Sequence, residues 1–433
     1  LFTRGKLFFA MQLVVTIYEE TPEAAIDVIR ALNADHDAIE LRADAFGGRA
    51  VDWTRIRAAT AKPVIATNRG GGHVDIDAAF AAGIDFIDVE WGREIPDRDR
   101  LIVSHHDYEG MPDVERLLSE TRPTTQLKIA ATPGNFAENA RLLALLGGRR
   151  DLTVIGMGAR GLYSRILAPF FGSQLQFVSV DETRSAAPGQ MTLAQALAIY
   201  GPNRENLRAE KIFAIAGNPA SHSGSPAIHN AIFRERGVAA AYSIFDTDDF
   251  LDVAKPFAAG ERFAPHGLSI TAPFKEDALT FAESIGAGIR EHAREAGSAN
   301  TLVRIAGRVV ADNTDVDGFQ SLIAKTNART AAVAGAGGTA RAALVALRRA
   351  GIEATVFNRT ADRLNARPLE QLPSWRGDLV INTLPQNVIV AMPVAGTIIE
   401  AAYGRESHAN FTGLDLLRAQ AARQSELFLE ACE

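Results

Sequence analysis

The sequence predicts an α/β protein in which an N-terminal (β/α)8 barrel precedes a two-domain unit that ends in a Rossmann domain. Three observations carry this. Between Gln12 and Ser179 eight short β-rich runs alternate with spacers, most of them helical in composition. The segment Tyr200 to Lys211, YGPNRENLRAEK, is polar, begins next to Gly and Pro, and marks a linker. From Thr330 to Leu344 the run TAAVAGAGGTARAAL is an apolar strand that turns on glycines into an alanine-rich helix, the layout a dinucleotide pyrophosphate needs.

In chain order the eight runs are QLVVTI, AIELR, PVIAT, IDFIDVE, LIVSH, QLKIA, DLTVIGM and QLQFVS. Helical spacers are expected at Pro22 to Asn33, Asp52 to Thr60, Asp75 to Ala82, Asp113 to Thr121 and Asn135 to Leu146. Trp91 to Arg100 is too short and polar for a full helix, so the fourth unit is expected to be incomplete. A second α/β region begins at IFAIAG (Ile212 to Gly217) and runs through GLSIT to about Asp312. A third starts at Thr330, continues through strands ATVF and DLVIN, and is followed by a helix from Leu414 to Ala431. The expected domains are 11–200, 211–318 completed by helix 414–431, and 319–413. A chain of 433 residues accommodates two or three such cores.

Bulk composition narrows the function classes. A formal net charge of −7 argues against a nucleic-acid or anionic-membrane surface, so local basic residues must be explained locally. The single cysteine, Cys432, leaves no intramolecular disulfide, zinc cluster or thiol nucleophile, which suits a reducing cytoplasm; no metal is expected. The opening LFTRGKLFFAMQLVVTIY has the basic start and apolar run of a secretory signal. Gln12 interrupts it and no small-residue cleavage site follows, so a first strand at Gln12 to Ile17 is expected, with Met11 as the natural start. No stretch approaches the roughly 18 to 20 apolar residues of a membrane span. Oligomeric state is left open.

Catalytic groups of a (β/α)8 barrel come from the C-terminal ends of its strands. The polar residues follow that rule: Glu40 and Arg42 end the second strand, Glu90 ends the fourth, His106 follows the fifth, Lys128 lies on the sixth, and Met157 closes the seventh with Arg165 beyond it. In QLKIA the period of two turns Leu127 and Ile129 toward the helices and Lys128 inward. An inward amine loses water and is expected to gain cationic neighbours, both of which favour the neutral nucleophile. His106 is expected to titrate near neutrality, as a group that gives and takes protons. Taken singly, each has a plainer explanation: a lysine that snorkels to the surface, a structural histidine, a Glu40 salt bridge to Arg42 or Arg69. Their joint placement on one rim is what argues for a site.

Over roughly Met11 to Tyr200 the chain resembles type I 3-dehydroquinate dehydratase, on ELRAD (Glu40 to Asp44), IDVE ending at Glu90, SHHD with its second histidine, QLKIAATP, GMGARGLYSR and APGQ. The resemblance implies that Lys128 forms an imine with the ketone of 3-dehydroquinate and that His106, oriented by Glu90, shuttles protons as water is lost. It also implies that Glu40, Arg42, Arg165 and Gln190 hold the ring hydroxyls and carboxylate, with Arg69 and Met157 among the substrate contacts. One departure is visible: the family's SAPGQ reads AAPGQ, with Ala186 in the serine's place and Ser185 beside it. Weakened activity is the expected consequence, unless Ser185 substitutes.

In the second half GAGGTARA supplies Gly335, Ala336, Gly337, Gly338, Thr339 and Ala340, a G-x-G-x-x-A fingerprint after a strand and at a helix start. After the next strand, where an NAD enzyme places an acid for the ribose hydroxyls, the chain has Asn358, Arg359 and Thr360, then Arg363. Basic residues there suit a 2′-phosphate and favour NADP(H), though two solvated arginines would look alike. NPASHSGSPAIHN, GLSITAPFKE, AGSANTL and DNTDVDGF complete a resemblance to shikimate dehydrogenase from Ile212 onward. That resemblance implies that Ser223, Ser225, Thr271, Asn300 and Asp315 hold shikimate, that Gln420 is a further contact, and that Lys275 with Asp315 transfers the proton. Here Ser269 stands where many bacterial members have Asn, and Pro385 to Thr412 looks shortened, which touches the nicotinamide side. The combined expectation is a bifunctional shikimate-pathway enzyme that dehydrates 3-dehydroquinate and reduces the product with NADPH. The alternatives are an NAD-dependent catabolic quinate/shikimate dehydrogenase fusion and a non-catalytic metabolite sensor.

Overall fold

The computed structural model describes residues 11–69, 74–92, 99–120, 126–149, 151–360, 363–402 and 409–433. The expectations for the opening residues 1–10, for most of the spacer after the fourth strand (93–98) and for 403–408 lie outside the described residues. The chain divides into two compact units: one runs to Ile212 and takes in Phe233–Asp246, the other comprises Phe213–Ile232 and Thr247–Glu433.

Eight parallel strands form the first sheet: β1 (Gln12–Ile17), β2 (Ala38–Arg42), β3 (Val64–Asn68), β4 (Phe86–Glu90), β5 (Leu101–Asp107), β6 (Gln126–Ala131), β7 (Leu152–Gly156) and β8 (Leu175–Ser179). Their order is β7-β6-β5-β4-β3-β2-β1-β8, so sequence neighbours pair and β8 returns to β1. The alternation read from the sequence is therefore an eight-stranded parallel barrel with a seam between β7 and β8. At that seam side chains stand in for ladder bonds: the Val154 amide donates to Ser173 Oγ at 3.2 Å, and Arg165 Nη2 donates to the Phe177 carbonyl at 3.1 Å.

The helices between strands start on short polar caps. Thr21, Asp52, Asp75 and Asn135 each accept a backbone N–H with the side chain, opening Pro22–Ala31, Trp53–Ala59, Ile76–Ala81 and Phe136–Ala144. A helix at Gly158–Leu167 has two glycines in its first turn, and the sequence reading had placed none there. A Cβ on Gly161 would lie 2.5 Å from the Gly156 carbonyl carbon, so the low-propensity residue is a packing requirement of helix against strand end.

The barrel interior is layered. Val14, Ala38, Ile65, Phe86, Ile102 and Leu175 belong to one apolar cluster. Two residues further along their strands stand Thr16, Glu40, Thr67, Asp88, Ser104 and Phe177, with Lys128 on β6 beside Ser104, as a strand period of two requires.

In the second unit β9 (Lys211–Gly217) continues the chain; β10 (Ala240–Asp246) belongs to the segment grouped with the first unit. The other strands are β11 (Gly267–Ile270), β12 (Gly288–Ile289), β13 (Thr301–Ile305) and β14 (Arg308–Asp312), ordered β9-β11-β13-β14-β12 across their sheet. A third, parallel sheet is ordered β17-β16-β15-β18-β19, from β15 (Thr330–Ala334), β16 (Glu353–Asn358), β17 (Arg367–Pro368), β18 (Gly377–Asn382) and β19 (Ala395–Glu400). The strand β19 falls inside the stretch that looked shortened. The closing helix, Gly413–Glu430, opens on a capping box between Thr412 and Asp415. Among the described residues no helix is long and apolar enough to cross a membrane.

Candidate active sites

At the C-terminal mouth of the barrel a small cavity is lined by Thr16, Glu40, Arg42, Arg69, His106, Met157, Arg165 and Gln190, together with Ala186 and Ala187. The strand-end residues singled out by sequence thus converge, except Lys128 and Glu90, which lie just behind the lining. Lys128 is fully buried. Its ammonium donates to Asp88 and lies 3.7 Å from Glu40 Oε1 and 4.4 Å from the Phe177 ring centroid. The expected cationic neighbours are therefore not what the amine meets first: two carboxylates and an aromatic face surround it.

Asp88 was missed in the sequence. Its Oδ1 also accepts from Ser104 Oγ at 2.5 Å. The signal was present, because the alternation that turns Glu90 inward turns Asp88 inward two residues earlier. Glu40 accepts from Thr16 at 2.8 Å and Thr67 at 2.9 Å and lies 3.7 Å from Arg69. Burial alone would raise its pKa, but Lys128, Arg69 and Arg42 hold it at about 2. Of the two partners considered for Glu40, the ion pair is to Arg69; Arg42 makes a two-pronged pair with Asp44 at 2.9 and 2.8 Å.

His106 lies within β5. Its Nδ1–H donates to Glu90 Oε2 at 2.8 Å and its backbone N–H to Glu90 Oε1 at 3.1 Å, an arrangement that assigns the lone pair to Nε2. A titration near neutrality is not met: burial, then the charges of Arg69 and Lys128, push the imidazole down to about 2. Burial also raises the Glu90 carboxyl. The imidazole is a neutral base.

Arg165 is buried with Nε and Nη1 unbonded, and burial pulls it down to about 10. A buried guanidinium with open donors on a cavity wall is a receptor for a carboxylate. Gln190 is fixed between Thr16 Oγ1, to which it donates at 3.1 Å, and the Ala186 amide, from which it accepts at 2.8 Å. Ser185 does not take the missing serine's place: it is exposed, and its hydroxyl donates to the Ala187 carbonyl at 2.8 Å.

In the second unit Lys275, the first residue of helix Lys275–Ser284, donates to Asp315 Oδ2 at 2.6 Å and to Thr339 Oγ1 at 2.9 Å. Asn300 Nδ2 donates to Asp315 Oδ1 at 2.9 Å and to Thr314 at 3.1 Å, and Thr314 donates to Gln420 Oε1 at 2.9 Å. One hydrogen-bonded chain thus joins Lys275, Asp315, Asn300 and Gln420. Ser223 and Ser225 bond each other at 3.1 Å, and Thr271 is half-buried just past β11. Ser225 opens helix Ser225–Glu235. Ser269 donates to Gln424 Oε1 at 2.6 Å.

The glycine turn has the geometry of a phosphate cradle. Gly335 has φ +111°, and a Cβ there would lie 2.4 Å from Thr383 Oγ1; around Gly337 nothing lies within 4 Å of such a Cβ. The following helix is Gly338–Arg349, and Ala336 and Ala340 are buried. Asn358 donates to the Thr360 carbonyl at 3.1 Å, while Arg359 and Arg363 are exposed and have no ion pair among the described residues. These groups fit a phosphorylated dinucleotide.

Residues 13–206 match the family described as type I 3-dehydroquinase, and residues 215–302 match the shikimate dehydrogenase substrate binding domain. A bifunctional 3-dehydroquinate dehydratase/shikimate dehydrogenase, chloroplastic, from Arabidopsis thaliana is 30% identical over 69% of this chain and 52% of its own length. A pentafunctional AROM polypeptide of Komagataella phaffii is 28% identical over 81% of this chain and 25% of its own. This chain therefore spans about half the length of the first relative and a quarter of the second. The solved structure of dehydroquinate dehydratase and shikimate dehydrogenase from S. pombe AroM aligns over 98% of this chain and 99% of that one, at 22% identity and a TM-score of 0.38.

Proposed function

We propose, from the match of residues 13–206 to the type I 3-dehydroquinase family and of residues 215–302 to the shikimate dehydrogenase substrate binding domain, that the chain performs two consecutive reactions. The first is dehydration of 3-dehydroquinate to 3-dehydroshikimate; the second is its reduction by NADPH to shikimate. The proposed domains are 11–200, 211–318 with helix 414–431, and 319–413.

The observation that carries the reading is a fully buried lysine behind a cavity walled by an unpaired, buried arginine. Arg165 receives the substrate carboxylate, and Glu40, Arg42, Arg69, Met157 and Gln190 hold the ring. Lys128 gives up its proton within the Asp88–Glu40 pair and attacks the ketone carbon; water leaves and an iminium forms. The iminium acidifies the neighbouring carbon, whose proton passes to Nε2 of His106 while Glu90 steadies Nδ1–H. The imidazolium returns that proton to the departing hydroxyl, and hydrolysis of the imine restores the amine. Atoms balance to the loss of one water.

In the second site Ser223, Ser225, Thr271, Asn300 and Gln420 hold the ring hydroxyls and carboxylate. NADPH, held by residues 335–340 with Asn358, Arg359, Thr360 and Arg363 at its 2′-phosphate, supplies hydride when bound. Lys275, bonded to Asp315, delivers a proton to the carbonyl oxygen as negative charge develops there. A coupled assay tests the reading: 3-dehydroquinate with NADPH should yield shikimate and oxidised cofactor, NADH should serve poorly, and binding without turnover would overturn it.

A further inference from the structure

The contact between Lys275 and the dinucleotide helix has two parts, and neither is required by phosphate binding. The Lys275 amine donates to Thr339 Oγ1 at 2.9 Å as well as to Asp315 Oδ2 at 2.6 Å. The lysine stem packs on the preceding residue: a Cβ at Gly338 would lie 2.9 Å from Lys275 Cβ and 3.2 Å from its Cδ. Gly337, by contrast, faces open space. The third glycine of the turn is thus explained by the lysine, the second by what enters from outside.

Resting on the reading of this half as the reductase, we propose that Gly338 and Thr339 are positioning residues for Lys275, and that the Thr339 hydroxyl ties cofactor occupancy to the aim of the proton donor. An ammonium has three donors. Asp315 and Thr339 take two at fixed directions, which leaves the third aimed at the substrate oxygen. Thr339 accepts from Lys275 with its oxygen, so its own O–H remains to donate. A dinucleotide phosphate at the start of helix Gly338–Arg349 is the acceptor that position favours. With a cofactor bound, the Thr339 hydroxyl that holds the lysine would also donate to its phosphate, and by reciprocity a correctly held lysine would strengthen cofactor binding.

The test uses the full chain with Thr339→Val, which keeps shape and removes the hydroxyl, Thr339→Ser, which restores it, and Gly338→Ala, which keeps the hydroxyl and displaces the stem. Thr339→Val should lower kcat for 3-dehydroshikimate reduction roughly ten- to hundredfold and also raise the KM for NADPH about tenfold, because the same hydroxyl donates to the phosphate. Thr339→Ser should recover kcat to within about threefold, and Gly338→Ala should lower it about tenfold. Independently of activity, the rate at which an amine-acylating reagent labels Lys275 in the cofactor-free protein, read by peptide mass spectrometry, should rise about fivefold in Thr339→Val. A Thr339→Val protein with unchanged kcat and labelling, or with a loss confined to the KM for NADPH, overturns the proposal. A wild-type chain that reduces no 3-dehydroshikimate sinks the reductase reading instead, and the labelling rates still decide whether Thr339 holds Lys275.

Discussion

Lys128 and Lys275 are each bonded to an aspartate, yet the barrel excludes solvent from the first side chain altogether while the second keeps 13% of its surface exposed. The first rests on a strand inside a closed layer of polar side chains; the second stands at the first turn of one helix and reaches the start of another. The difference teaches how one residue type serves opposite ends. In the proposed reading the first is a nucleophile that must shed its proton without losing its place, among Asp88, Glu40 and Phe177. The second is a proton donor that meets a substrate entering from solvent.

The comparison breaks most readily if the two amines are not independent. Lys128→Ala should abolish consumption of 3-dehydroquinate, by roughly 10⁴-fold or more, and leave 3-dehydroshikimate reduction intact; Lys275→Ala should do the reverse by about 10³-fold. Separate steady-state assays of each step check this, and loss of both steps in either folded variant would refute separate sites. Arg165→Met should lower kcat/KM for dehydration about a hundredfold, because a desolvated two-pronged carboxylate contact is worth about 3 kcal/mol. A substrate analogue lacking the carboxylate should lose little further in that variant.

Stability sharpens the contrast. Asp88→Asn strands a buried ammonium and should cost about 3 kcal/mol, whereas Asp315→Asn, beside an amine that can turn to water, should cost about 1 kcal/mol. Thermal melts of the transition belonging to each unit distinguish these, and equal losses would mean that burial is not what separates the lysines. pH sharpens it further. In the proposed dehydration the base form of His106 is the active one, and with its pKa lowered to about 2 it stays unprotonated through the mildly acidic range. Dehydration kcat/KM should therefore be flat from about pH 8 to about pH 5.5, where an imidazole at about 6.5 would produce roughly a tenfold decline. The smallest expected change is at the cofactor end: Arg359→Ala should reduce the preference for NADPH over NADH about tenfold, read from the ratio of the two kcat/KM values.

Much of this arrangement was legible because strand periodicity and turn chemistry are local. Eight apolar runs sufficed for the barrel, parity alone turned Lys128 inward, and helical composition located five spacer helices. What escaped was set by packing between distant segments. Helix Gly158–Leu167 hides behind its glycines because Gly156 presses on it, and β19 is a strand chiefly because β18 pairs with it. Asp88 escaped for a different reason: its neighbour Glu90 drew the functional reading, although both share one face. The electrostatic environment of His106 and Lys128 was beyond reach, since it depends on which charges from five strands meet in one layer.

The central claim is that Lys128 is the amine that bonds the substrate. Borohydride added to the full chain during turnover of 3-dehydroquinate, followed by peptide mass spectrometry, tests it most directly. The account predicts a reduced substrate adduct on the peptide carrying Lys128 and none in Lys128→Ala. Turnover with no trapped adduct, or an adduct on another lysine, would contradict it.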